Sequence, residues 1–259
     1  DEVTEFYLEL LENQIKYEGP EQTAAIFMET VVGSNGILIP PKGYLKGVRA
    51  LCDKYDILMI CDEVMAGWYR TGPCFAYQQF DATPDLVTFA KGSTCGYVPL
   101  GGVIVSKKIA EFFEDKVMLC GLTYSAHPMG CAALIATLGE YKRLNIQQNV
   151  ETLGNLLGEL LEDLYKKHEC IGQVRYIGLF SAVELVKSKT TREAIVPFGR
   201  DPEGVMGKII GMLKKEGFAT YSHENMIMVA PPLIITEEEL RKAMSILDKV
   251  LDSVDNMIK

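Results

Sequence analysis

Residues 84–96 read PDLVTFAKGSTCG, and this stretch decides how the chain is folded. Leu86, Val87, Thr88, Phe89 and Ala90 form a nearly unbroken apolar run, as expected of a strand in a parallel sheet with helices on both faces. The turn-prone pair Pro84-Asp85 precedes the run, and Lys91 ends it. A lysine there sits at a strand's carboxyl end, where open α/β sheets build their ligand crevice. Gly92 and Gly96, with Ser93 and Thr94 between them, suit a loop in which backbone approaches a ligand closely. Taken alone, AKG is read more readily as a lysine that lays its stem along the sheet and leaves its charge in water.

Outward from this stretch, strands and helices alternate. An amphipathic helix with Phe6, Leu8, Leu11 and Ile15 opens the chain, and AAIFMETV (24–31) reads as a strand. A Gly/Pro-rich loop and a helix over 44–54 follow, then a strand ILMICDEV (57–64), the strand of the opening stretch, and a strand GGVIVS (101–106). A short helix around KKIAEFFED comes next. This alternation predicts βαβ units and a largely parallel sheet. Residues 128–168 read as helical with a break near Asn145. Beyond that the order becomes irregular, with a strand pair in VRYIGLFSAVELV, a helix over 202–217, a strand in MIMVAPP and a closing helix. Thr236 with Glu239 predicts a capping box for the last of these. The expected division is 1–145, belonging to an α/β domain with a mostly parallel sheet, and 146–259, a smaller α+β domain.

Composition narrows the function. The chain has 259 residues, is 48% hydrophobic and 24% charged, and carries a net charge of -9, which disfavours a nucleic-acid partner. No apolar run approaches the roughly 18 residues that span a bilayer, so no membrane role is expected. Seven cysteines without Cys-x-x-Cys spacing predict reduced thiols in a cytoplasmic protein, most of them small core residues. His127, His168 and His223 have no metal-ligand spacing, and no metal is expected. Position 1 is Asp, as in the middle of a longer protein.

Glu29 follows AAIFM, Asp62 follows ILMIC and Lys91 follows LVTFA, so three ionisable groups close three neighbouring strands. Buried charges each cost several kcal/mol unless paired. A structural salt-bridge cluster would explain the three. So would pyridoxal phosphate, which needs a lysine to hold its aldehyde as a Schiff base and a carboxylate to keep its ring nitrogen protonated.

The stretches MICDEVMAGWYRTG, PDLVTFAKGSTCGYVPLGGVIVS and LTYSAHPMGCAA, with the lysine 29 positions after Asp62, resemble the class III, or ω-amino-acid, aminotransferases of the fold-type-I pyridoxal-phosphate enzymes. METVVGSNGILIPPKGYL and VAPPLIIT extend the resemblance over nearly the whole chain. It implies that Lys91 is the Schiff-base lysine, Asp62 the partner of the ring nitrogen, Val64 a packing residue on one ring face and Glu29 the acidic residue beside the cofactor. It implies that Thr123 reaches the cofactor phosphate of a neighbouring subunit, hence a homodimer with shared sites. The family's N-terminal portion, with its phosphate cradle, is not among these residues. Positions where many members carry a carboxylate-binding arginine hold Tyr221 and Met228, and a position often held by glutamine is Met65. The implied activity is transfer of an amino group from an ω-amino compound such as taurine, β-alanine, 4-aminobutyrate or a diamine to a keto acid, with pyruvate expected. An aminomutase of the same fold and a truncated, non-catalytic binding subunit are the alternatives.

Overall fold

The computed structural model describes residues 2–258. The chain divides into two compact units. The first comprises the residues up to Val31, Pro40–Tyr69 and Pro73–Asn145; the second gathers Val32–Ile39, Arg70–Gly72 and everything from Ile146 onward.

In the first unit, α1 (Glu2–Glu18) precedes β1 (Ala25–Glu29), α2 (Tyr44–Tyr55), β2 (Leu58–Asp62), β3 (Leu86–Phe89), β4 (Gly102–Val105), α3 (Lys107–Phe112) and α4 (Pro128–Arg143). The sheet order is β1-β2-β3-β4. β1, β2 and β3 run parallel, as the alternation predicts, but β4 returns antiparallel to β3, pairing Phe89 with Gly102. A short apolar run carries no direction, so this reversal was not readable in GGVIVS. Ile15, Leu45, Val48, Cys52, Ile57, Met59 and Cys61 make a buried core between the helices and the sheet. Each large aliphatic side chain so removed from water contributes about 1.5–3 kcal/mol. Asp85, from the turn before β3, accepts from Met59 N in β2 at 2.9 Å and from Arg49 of α2 at 2.6 Å. One carboxylate thus pins that turn to a strand and to a helix.

The second unit has α5 (Ile146–Lys167), β5 (Ile171–Ile177), β6 (Phe180–Leu185), α6 (Val205–Lys215), β7 (Ser222–His223), β8 (Met226–Val229) and α7 (Glu237–Met257). Its sheet, β5-β6-β8-β7, is antiparallel throughout. α5 and α7 carry buried stripes, Leu153, Leu157, Leu161 and Leu164 on one and Leu240, Leu247, Leu251 and Val254 on the other. Gly154 of α5 has no room for a side chain, because a Cβ there would lie 2.7 Å from the Cα of Gly178. The helix break falls at Asn145, in a left-handed conformation with φ 48°. The helix expected over 202–217 starts later, at Val205, because the Asp201 carboxylate accepts from Val205 N and Met206 N and holds the preceding residues in a turn. The capping box forms, with Thr236 Oγ1 and Glu239 bonded reciprocally. Of the seven thiols, all free, only Cys52, Cys61 and Cys170 are buried, fewer than composition suggested. Burial pushes Cys52 and Cys61 up to about 11, so these two are neutral filling.

His168 is fully buried at the end of α5, with Nδ1 2.7 Å from Asp255 and Nε2 2.6 Å from Asp248 of α7. His168, Asp248 and Asp252 lie close enough to hold a cation, but Lys167 Nζ already stands 2.7 Å from Asp248 and 3.4 Å from Asp252. Burial alone would raise the Asp248 and Asp255 carboxyls, yet hydrogen bonds from Lys167, His168 and Cys170 N outweigh it and hold both below the ordinary range. A carboxylate more acidic in the folded chain stabilises the fold above its unfolded value of about 4, and the contribution is lost as pH falls through the depressed folded value. Denaturant unfolding of the full-length protein at a series of pH values from neutral down to acid should therefore show a steeper loss of stability in the natural protein than in an Asp255→Asn variant. Parallel profiles would contradict the coupling.

Candidate active site

The parallel register sets Glu29 opposite Asp62 and Asp62 opposite Thr88, so three strands end side by side. Asp62 Oδ1 accepts from Val64 N at 2.8 Å, which fixes the carboxylate while Oδ2 takes no hydrogen bond among the described residues. Val64 thus contributes its backbone as well as a half-buried side chain. Beside Asp62, the Thr88 hydroxyl is buried without a partner.

Lys91 lies two residues past the end of β3, at the start of a single 3-10 turn, Lys91–Ser93. Its backbone is left-handed, with φ 41°, uncommon for a side chain of this size. The ammonium is exposed and makes no hydrogen bond or ion pair among the described residues. The sequence suggested three buried charges; instead Lys91 is exposed and Asp62 and Glu29 are half-buried. Thr123 sits on an exposed turn closed by Ser125 N donating to Leu122 O, and no bond or strand pairing joins it to the other candidates.

Sequence reasoning missed the one deeply buried acid of this region. Glu63 is 0% exposed and accepts from Thr30 Oγ1 at 2.8 Å, Ala76 N at 2.9 Å and Tyr77 N at 2.8 Å. Burial pushes its carboxyl up, against the pull of those three donors. The paired acids in "CDEV" were the available signal, one at the strand end and the next turned inward. Trp68, also unremarked, is buried against Phe75 and Phe89 at ring distances of 5.2 and 5.3 Å.

In the second unit, Met228 is only 6% exposed and belongs to the core, whereas Tyr221 is 54% exposed. Of the arginines left unplaced by sequence, Arg70 donates to the carbonyls of Leu179 and Pro231 and is committed to structure. Arg192 and Arg200 make no side-chain hydrogen bond or ion pair among the described residues.

With this geometry in place, comparison with known proteins is decisive. The class-III aminotransferase family matches residues 1–251, and the chain belongs to that family. It is 34% identical over 258 residues to a taurine–pyruvate aminotransferase of Bilophila wadsworthia, covering 95% of this chain and 55% of that protein. A gamma aminobutyrate transaminase of Solanum lycopersicum is 36% identical over 255 residues, covering 96% of this chain and 54% of that protein. Among solved structures, a taurine:2-oxoglutarate aminotransferase from Bifidobacterium kashiwanohense, in complex with pyridoxal phosphate and glutamate, superposes with a TM-score of 0.96 at 51% identity, over 99% of this chain and 57% of that one. The fold is that of the fold-type-I pyridoxal-phosphate transferases. The chain spans about half the length of the curated relatives it matches.

Gly92 follows Lys91 directly, and a Cβ there would lie 2.6 Å from the Trp68 Cβ and 2.9 Å from its ring. Since Trp68 is packed on several sides, Gly92→Ala should cost about 1–3 kcal/mol through overpacking, measured by denaturant unfolding of the full-length protein. An unchanged midpoint would show that the Trp68 contact has slack.

Proposed function

We propose that the whole protein is a pyridoxal-phosphate-dependent aminotransferase that takes the amino group of an ω-amino compound and passes it to a keto acid. The observation that carries this is the pairing of a tethered carboxylate having one unbonded oxygen, Asp62, with an unpaired lysine on the next strand end, Lys91. These residues fit the cofactor. A ring nitrogen needs an acceptor not already saturated, and an aldehyde needs an amine not held in an ion pair. The unpartnered Thr88 hydroxyl beside Asp62 agrees with a polar group still to be added there.

When bound, pyridoxal phosphate supplies an aldehyde that joins to amines and a ring that withdraws electrons from the adjoining carbon. Asp62 would keep the ring nitrogen protonated, while Val64 N donates to Oδ1 and prevents the carboxylate from turning away. Lys91 would hold the cofactor, and its amine, when free, would serve as the base that takes the proton from the substrate carbon and carries it as an ammonium. Glu29, at the adjacent strand end, is the acidic neighbour of this site.

The donor class rests on the relatives, which act on taurine and 4-aminobutyrate according to their names. The absence of arginine at Tyr221 and Met228 supports it through Tyr221, since Met228 is core. For the acceptor, the higher identity of the 2-oxoglutarate enzyme, 51% against 34%, favours 2-oxoglutarate over the pyruvate expected from sequence. A homodimer is supported by the exposed apolar residues around Thr123, namely Leu119, Leu122, Tyr124 and Met129, which a second copy would cover. A reducing, cytoplasmic setting is supported by seven unpaired thiols. No described helix is long and apolar enough to cross a membrane.

The full-length protein should hold the cofactor on the Lys91 peptide after borohydride reduction. With either keto acid it should use taurine, β-alanine or 4-aminobutyrate at least about tenfold better in kcat/KM, about 1.4 kcal/mol, than α-amino acids other than alanine and glutamate, the acceptors' own products. A preference for α-amino donors sinks the donor assignment. Sedimentation of the same protein at micromolar concentration should show a dimer, and a fully active monomer would refute the shared site.

A further inference from the structure

The turn that presents Lys91 is held from outside itself. Its own bonds are short-range: Ser93 N donates to Ala90 O at 3.0 Å, and Ser93 Oγ to Leu100 O at 3.0 Å. A left-handed backbone at a non-glycine residue persists only where the surroundings over-determine it. Two outside groups do so here. Trp68 packs against Gly92 on one side, and Tyr141 of α4 donates its hydroxyl to the Gly92 carbonyl at 2.6 Å, across 49 residues of sequence. Tyr141 is buried, its ring stacks on Trp68 with centroids 6.4 Å apart at 20°, and it meets Tyr69 edge-on at 5.3 Å. The Cys95 thiol, four residues past Lys91, lies 3.4 Å from the same hydroxyl. Gly92, the residue after Lys91, is therefore clamped by a ring on one side and by an O–H at its carbonyl, which begins the peptide to Ser93.

Resting on the assignment of Lys91 above, we infer that Tyr141 is a positioning residue for Lys91. By donating to the Gly92 carbonyl, its hydroxyl fixes the left-handed turn and hence the direction in which the lysine amine is presented. The Tyr141 hydroxyl acts through the Gly92 carbonyl it holds. Trp68 supplies the shape of the support, and Tyr141 supplies its polar anchor.

The test compares Tyr141→Phe, which keeps the ring stack and removes only the hydroxyl, with Tyr141→Leu, which removes both. The protein is the full-length holoenzyme, and the readouts are the pH titration of the cofactor's visible absorbance, kcat and KM for taurine, and hydrogen exchange at the Ser93 and Thr94 amides of the cofactor-free protein. Tyr141→Phe is expected to shift the titration midpoint by about half a pH unit or more. It should lower kcat about tenfold, leave KM within about twofold, and speed exchange at Ser93 and Thr94. If Tyr141→Phe matches the natural protein and only Tyr141→Leu departs from it, the hydroxyl has no positioning role and the inference is overturned. Cofactor recovered on a lysine other than Lys91 in the natural protein would instead overturn the site assignment beneath it, so the two failures are distinguishable.

Discussion

The carboxylate of Glu63 is the contact on which the arrangement of the first unit turns. It is an acid with no exposed surface and no ion pair among the described residues, a placement that costs several kcal/mol unless hydrogen bonds replace the lost water. Thr30, just beyond β1, and the adjacent amides of Ala76 and Tyr77 provide them, so one side chain ties two separate pieces of chain to its own. Its backbone joins in, Glu63 N donating to Thr88 O of β3 at 2.9 Å. The loop closed in this way carries Val64, which tethers Asp62, and Trp68, against which Gly92 rests. Two adjacent acids thus divide the work by environment. Glu63 is held by three donors and structural, while Asp62 is half-buried with one oxygen that takes no hydrogen bond among the described residues.

Much of this was readable because it is local. Nearly continuous apolar runs identify β1, β2 and β3 and place Glu29, Asp62 and Lys91 at or just past their ends, and Thr236 with Glu239 marks the first turn of α7. What escaped depends on distant partners. The direction of β4 is set by pairing with β3 rather than by its own residues. The burial of Glu63 depends on donors at positions 30, 76 and 77, and Tyr141 acquires its role only by meeting Gly92. Lys91 was placed within two residues of its strand, but its left-handed backbone was not foreseeable, since nothing in "FAKGS" demands a positive φ at the lysine rather than at the glycine after it.

The composition of the second unit has a consequence for recombination between relatives. The chain passes from one unit to the other for the last time after Asn145, which looks like a natural seam. Yet the unit beyond that seam keeps essential parts of itself far upstream. Arg175 of β5 donates through Nε to Gly36 O at 2.8 Å, and the carbonyls of Leu179 and Pro231 are both served by Arg70. A single genetic crossover at the seam would pair the 36 and 70 segments of one parent with the β-sheet of another. Intact hybrids of this family therefore require parents that agree at those upstream segments as well, so two short upstream stretches are inherited as a block with everything beyond the seam.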